Sequence, residues 1–368
     1  MKLCIISVIW VLWGYSLSFS SGSFNNIIGG FNFFGFNNVG YEAHIGTNIP
    51  HLLFAVFQGM FAVITVVIIT GSFAERVKLG PVLIFGIIWL TFVYAPITHW
   101  VWGGGWVSQT IKSLDFAGGG VVHINSAIAG LVATVYIGKR KGFKYGDVSE
   151  SHNISLTVIG ASLLWFGWFG FNAGSALAAN KIAVIALVNT NVAAASGAIS
   201  WFLIEYFYKK KSTIIGVVSG SVAGLVAITP AAGYISPLSS IITGLIAGML
   251  CYLAVFYLKP KLKYDDSLDV FGIHGVGGIW GSIATGIFSS SAINSAGIDG
   301  LIYGKFDLLK AQCLSSLIII SYSAVITLVI LKLINSFASI RVNHAEEFDR
   351  LDTSQHGEKC YNINNQRN

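Results

Sequence analysis

Ten nearly uncharged apolar runs of roughly twenty residues divide this 368-residue chain. They lie at about 3–19, 52–74, 80–101, 119–138, 154–177, 182–207, 213–233, 237–257, 269–289 and 312–338. Hydrocarbon offers no partner to a backbone N–H or C=O, so a segment that crosses it must close its own hydrogen bonds. A helix of about twenty residues does this across roughly 30 Å. The expected fold class is an all-α polytopic membrane protein of about ten helices. Composition agrees. Charged residues are only 10% of the chain, where a soluble domain has about a quarter, and the mean hydropathy is +0.71.

A net charge of +6 raises the question of nucleic acid. The basic residues instead follow alternate apolar runs. Lys2 precedes the first run. Arg76 and Lys78 follow the second, Lys139, Arg140, Lys141 and Lys144 the fourth, and Lys209, Lys210 and Lys211 the sixth. Lys259, Lys261 and Lys263 follow the eighth, and Arg341 the tenth. The other loops hold Lys112, Lys181, Lys305 and Lys310. This alternation is an orientation signal and places both termini in the cytoplasm. Lys2, an apolar stretch and Ser-Phe-Ser-Ser-Gly-Ser also fit a signal peptide, although Trp10, Trp13 and Tyr15 make a poor signal core. The Gly-, Asn- and Phe-rich segment 21–50 reads as an outer loop. The domain reading is 1–340 for the transmembrane unit and 341–368 for a polar cytoplasmic tail.

Gly216, Gly220 and Gly224, like Gly244 and Gly248, recur every fourth residue. Small residues at that spacing let helices approach closely in lipid. Cys4, Cys251, Cys313 and Cys360 have no paired spacing, so neither a disulfide framework nor a zinc site is expected. No phosphate loop, metal spacing or nucleophile motif is present, so no cofactor and no enzymatic activity are expected.

Two histidines fall inside Gly-rich apolar runs about 150 residues apart, His123 after Asp115 and His274 after Asp269. Ionisable groups at bilayer depth are costly and usually face a pathway or a partner. A neutral imidazole donates from one nitrogen and accepts at the other, so two in line can pass a proton or hold a polar solute. A buried, locally satisfied histidine is the competing reading, less apt for two in matching contexts. Phe61 and Phe171 can form a hydrophobic constriction or simply pack. Trp102, before three glycines, can anchor at the interface or attract a cation by roughly 1–2 kcal/mol. Ser175 offers a hydroxyl near the end of the Phe171 run. Asp115 and Asp269 stand at run starts, where a carboxylate caps free helix N–H groups. His51 and His99 read as interfacial. Asn125, Asn172, Asn189 and Asn191 read as interhelical hydrogen-bonding groups.

These residues sit in stretches that resemble the ammonium transporter family (Amt, with Mep and Rhesus relatives), most closely its bacterial members. The stretches are Ala55-Val-Phe57-Gln58-Gly-Met-Phe61-Ala, Gly71-Ser-Phe-Ala-Glu75-Arg76, His99-Trp-Val-Trp102-Gly-Gly-Gly105 and Asp115-Phe-Ala-Gly-Gly-Gly-Val-Val-His123-Ile-Asn125. Further along come Gly167-Trp168-Phe-Gly-Phe171-Asn172-Ala-Gly-Ser175-Ala, Thr229-Pro230-Ala-Ala-Gly233-Tyr, Asp269-Val-Phe-Gly-Ile-His274-Gly and the tail segment Leu351-Asp352-Thr-Ser-Gln-His356-Gly357-Glu358. The resemblance covers nearly the whole chain.

The resemblance implies an inverted repeat of helices around a central pore and an ammonium/ammonia transporter of the cell membrane. By position it implies that Trp102, Phe61 and Ser175 recruit the cation, that Phe61 and Phe171 gate, and that His123 and His274 are the pore pair. Asp115 supports the recruitment region structurally. Ser219 and Thr229 belong to a run lining the pathway or its packing. Homotrimers and a PII-type cytoplasmic regulator are also implied. The family usually has eleven spans. This chain starts at what matches the second, Ile9-Trp10-Val-Leu-Trp13-Gly14, so the first span and its gate aromatic are expected to be absent. Arg350 stands where the tail signature usually has glycine.

The implied mechanism has a physical basis. Ammonium and potassium are nearly equal in size, so pore width does not separate them, whereas ammonium donates hydrogen bonds and can lose a proton. Moving a bare cation through an apolar pore costs far more than aromatic contacts return. Capture, deprotonation near the gate and passage of ammonia past the histidines follow. Whether the proton travels along the pair stays open. Two other readings stand beside transport: an ammonium sensor acting through a partner, and a channel for another small neutral solute.

Overall fold

The computed structural model describes residues 1–23, 26–143, 151–349 and 351–358, so Lys144, Arg350 and Cys360 lie outside the described residues. Nine helices are long and apolar enough to cross a membrane among those residues. They are α1 (Lys2–Phe19), α2 (His51–Ser72), α3 (Leu79–Val101), α4 (Gly119–Ile137), α5 (Ile154–Gly174), α6 (Lys181–Lys209), α8 (Pro237–Leu262), α9 (Phe271–Phe288) and α10 (Asp307–Phe337). The seventh expected run, 213–233, forms a shorter helix, α7 (Ile214–Ile228). It stops before the expected boundary because Pro230 has no N–H to continue the ladder, and residues 229–234 turn instead. At 15 residues it is about 22 Å long, short of the hydrocarbon thickness.

Local chemistry sets the helix starts. Asn153 accepts from Leu156 N–H, Asn180 from Ile182 and Ala183, Thr213 from Gly216, and Ser236 from Ser239, with Pro237 in the first turn of α8. Each side-chain oxygen satisfies an N–H that the helix leaves free. The outer segment after α1 carries a short antiparallel ladder pairing Gly22 with Gly29 and Ser23 with Ile28.

Two styles of packing divide the molecule. The cluster around α1–α4 and α10 is built on large rings, with Trp10, Tyr15, Phe61, Trp89 and Tyr94 all buried. The α6–α8 layer closes on backbone. A Cβ at Gly224 would lie 2.1 Å from Ala193 O and one at Gly244 2.3 Å from the same oxygen. The four-residue glycine spacing is therefore a packing device. α5 is largely bare: Trp168 and Asn172 are its buried residues, while Ile159, Leu163 and Phe166 are exposed.

The basic ends of the helices are tied together rather than simply solvated. Arg76 is fully buried and donates to Ser267 Oγ at 2.9 Å, Ser72 O at 3.1 Å and Asp265 O at 2.5 Å. Arg140 pairs with Asp265 at 2.8 Å and Glu75 at 2.8 Å. Arg341 reaches Ile137 O at 3.0 Å, Lys139 O at 2.6 Å and Glu347 at 2.9 Å. The sequence pattern marked Arg76 and Arg140 only as orientation signals. After Arg341 come two short helices, α11 (His344–Asp349) and α12 (Leu351–His356).

Candidate functional site

Both pore-candidate histidines sit on π-helical turns. His123 lies in Gly119–Ile124, where its N–H donates to Gly118 O five residues back at 3.0 Å. His274 lies in Phe271–Gly275, where Val276 N–H reaches Phe271 O. Such turns widen the helix locally and recur at functional sites. The first is set by three features. Gly118 has φ +110°, a conformation open to glycine. A Cβ at Gly119 would meet the Pro230 ring at 2.5 Å, so the helix lies directly on the Thr229–Pro230 turn. Asp115 takes the free N–H groups: Oδ1 accepts from Gly118 and Gly119, Oδ2 from Gly120 and Val121, at 2.7 to 3.1 Å.

The two imidazoles meet, Nδ1 to Nδ1, at 3.1 Å, with ring centroids 5.2 Å apart and planes 29° off parallel. One Nδ1 must donate and the other accept, so the pair holds complementary tautomers. Two imidazolium rings here would set donor against donor and charge against charge. His123 is 1% exposed, and its Nε2 has no partner among the described residues.

A column of rings runs away from the pair. Trp168 stacks on His123 at 5.4 Å and Phe171 follows at 6.3 Å from the same ring. Phe171 and Phe61 lie 4.3 Å apart, and Phe61 meets Trp102 edge-on at 5.6 Å. Trp102 gives its indole N–H to Asp115 O at 2.8 Å, so its ring face, not a donor, is what it can offer a solute. Ser175 lies one turn past Phe171 and donates to Phe171 O at 2.9 Å, which leaves its oxygen lone pairs free to accept. Trp102, Phe61, Phe171, His123 and His274 thus form one contiguous series, with Ser175 attached through Phe171.

The profile of the Ammonium Transporter Family matches residues 1–361. This chain belongs to that family. It is 49% identical over 361 residues to the ammonium transporter of Bacillus subtilis, covering 98% of this chain and 88% of that one. The crystal structure of Candida albicans Mep2 superposes with a TM-score of 0.89 at 38% identity, covering 94% of this chain and 78% of that one. A solved Sensor Amt protein matches at TM-score 0.86 and 28% identity, over 96% of this chain and 87% of that one. The fold is the ammonium-transporter fold, and the chain is a multi-pass protein of the cell membrane.

Several sequence expectations about this family member need correction. Asp269 does not cap the His274 helix. Its Oδ1 pairs with Lys259 at 2.7 Å, and Asp266 Oδ2 accepts the Phe271 N–H at 2.8 Å instead. His99, in the last turn of α3, is 1% exposed and bonds Ser18 O at 3.0 Å, holding the end of α1. His51 is half-buried at the start of α2 and bonds Tyr15 Oη at 2.5 Å. Asn172 does join helices, donating to Thr190 Oγ1 at 2.9 Å, and Asn189 holds Ala232 O and Ile235 O at 2.8 Å. Asn125 donates within its own helix to Val121 O at 3.2 Å, and Asn191 is exposed. Thr229 is buried and accepts the Trp168 indole N–H at 2.9 Å, while Ser219 is half-buried. Trp168 carried no role in the sequence reading, yet it lies three residues before Phe171 on the same helix face, a spacing that could have found it.

Proposed function

We propose that this protein transports ammonium across the cell membrane by capturing the cation, deprotonating it and conducting ammonia past the His123–His274 pair. The observation that carries the reading is the ring column ending on a direct imidazole–imidazole hydrogen bond of 3.1 Å. Trp102 and Phe61 present aromatic faces to the cation, and Ser175 accepts one of its hydrogen bonds. Phe61 and Phe171, 4.3 Å apart, gate the way to water and ions. Asp115, with four N–H partners, positions the His123 turn. The complementary tautomers give the pair a built-in route for a proton. The close relatives are named transporters, and transport rather than enzymatic turnover is the activity assigned here.

Residues 1–340 form the transporting unit and 341–368 a cytoplasmic tail, which Arg341 ties to the end of α4. A homotrimer would cover the bare apolar face of α5. A PII-type regulator would meet the basic cytoplasmic face. The similarity to a Sensor Amt protein favours a second reading, binding without conduction.

Ammonium-pulse currents in proteoliposomes, with potassium as control, test the proposal. A saturable current specific to ammonium is expected. Ligand binding without current would transfer the assignment to the sensor reading.

A further inference from the structure

Each histidine turn has a carboxylate eight residues before its histidine, Asp115 for His123 and Asp266 for His274. Asp115 uses both oxygens, each on two backbone N–H groups. Asp266 is fully buried, with Oδ2 on the Phe271 N–H at 2.8 Å and Oδ1 without a partner among the described residues. A buried carboxyl oxygen with nothing to accept from is expensive to leave empty. It holds a proton or meets a polar species that passes.

We propose that Asp266 is the inner proton-exchange group of the pathway, taking the proton that leaves His274 and releasing it on the cytoplasmic side. The inference rests on the transport reading above. Asp266 Oδ2 holds the N–H of Phe271, three residues before His274 on the same π-helical turn. In the step, the imidazolium N–H of His274 breaks and a proton passes through water to Asp266 Oδ1. Imidazole becomes neutral and carboxylate becomes carboxylic acid. The O–H then breaks in favour of cytoplasmic water or emerging ammonia, and the carboxylate is restored.

The surroundings suit exchange. Burial raises the Asp266 carboxyl to about 6, with Asp269 adding to the rise and the Phe271 and Val270 N–H groups and Lys259 opposing it. Tyr264 and Arg76 are the other titratable groups that face it. Burial raises the Asp115 carboxyl as well, so the free oxygen is what separates the two.

Two readouts on the full chain test this. Infrared difference spectra should show a carboxylic C=O band titrating about pH 6 that Asp266→Asn removes. The amide oxygen of the variant still accepts the Phe271 N–H, so the turn is retained. In proteoliposomes, Asp266→Asn should lower the ammonium current on the order of tenfold or more and erase its dependence on internal pH, with the half-saturating external ammonium unchanged. Wild-type protein without the band, or a variant with wild-type current and pH profile, overturns the assignment. Should the variant fold poorly, the wild-type band decides alone. A wild-type protein that shows the band yet carries no ammonium current overturns the transport reading and the pathway role with it, and the band marks that failure as one of transport.

Discussion

The two histidine turns share a π-helical form with unequal support. Around His123 the helix start is saturated: four N–H groups end on Asp115 and the Pro230 ring presses on Gly119. Around His274 the helix start rests on one such bond from Asp266, and Asp269 is drawn off to Lys259. The two turns make a rigid half and an adjustable half. The rigid half carries Trp102 through its bond to Asp115 O, and with it the ring column. The adjustable half faces the basic side, where Lys259 and Arg76 lie close to Asp266.

The most severe way to break the comparison is to remove both imidazoles. His123→Ala with His274→Ala should abolish the ammonium flux or its selectivity over potassium, measured as currents in proteoliposomes. Unchanged flux and selectivity in the double variant would take the histidines out of the mechanism. Next in size is the difference between the two carboxylates. Asp115→Ala strands four N–H groups and should cost about 3 kcal/mol, since hydrogen bonds to charged groups are worth roughly 1.5–3 kcal/mol and unmet donors add to the loss. Asp266→Ala strands the Phe271 N–H and should cost a fraction of that. Chemical denaturation in detergent measures both, and equal losses would erase the rigid-versus-adjustable distinction.

Much of this architecture was legible in the chain because hydrocarbon permits so few solutions. The ten runs, the alternating basic residues and the small-residue spacing of α6–α8 all follow from backbone satisfaction and lipid packing. What periodicity could not show is where a helix changes its own period. In a largely apolar run such as 119–138, a 3.6-residue turn and a π-helical one look alike. The shift at His123 depends on Gly118, Gly119 and a proline from a distant loop. Asp269 looked like the natural cap because it is nearest in sequence to His274. The eight-residue match between Asp115–His123 and Asp266–His274 was present and carried the better answer. Arg76 carries a second role beside the orientation signal, buried among carbonyls, which a charge at a helix end does not announce.

The outer site joins the halves, with Trp102 from the first and Ser175 from the second. Ser175→Leu removes one charge-assisted acceptor and should raise the half-saturating ammonium concentration about tenfold, the equivalent of about 1.4 kcal/mol. Maximal flux should change little, because the gate and the histidines are untouched. A neutral-gas channel would not respond, so permeability to carbon dioxide measured alongside separates the two readings.

The smallest effect compares neighbours within the adjustable half. Burial would raise Asp265, but its bonds to Arg140 and the Arg76 and Arg140 charges more than offset that and hold it below the ordinary carboxylate value. Asp266, next in sequence, is raised from 3.8 to about 6. The signs follow from which form the fold prefers. Asp265 stabilises as the carboxylate, so its contribution is present at neutral pH and is lost as pH falls through its lowered value. Asp266 stabilises as the acid, so its contribution is present below 3.8 and is lost as pH rises through about 6. Thermal unfolding against pH should therefore lose less stability over that upper window in Asp266→Asn than in the wild type. Asp265→Asn should instead weaken the protein at neutral pH and flatten its acid limb. If both variants shift the same limb, the two aspartates act as one coupled cap, and the inner half is as fixed as the outer.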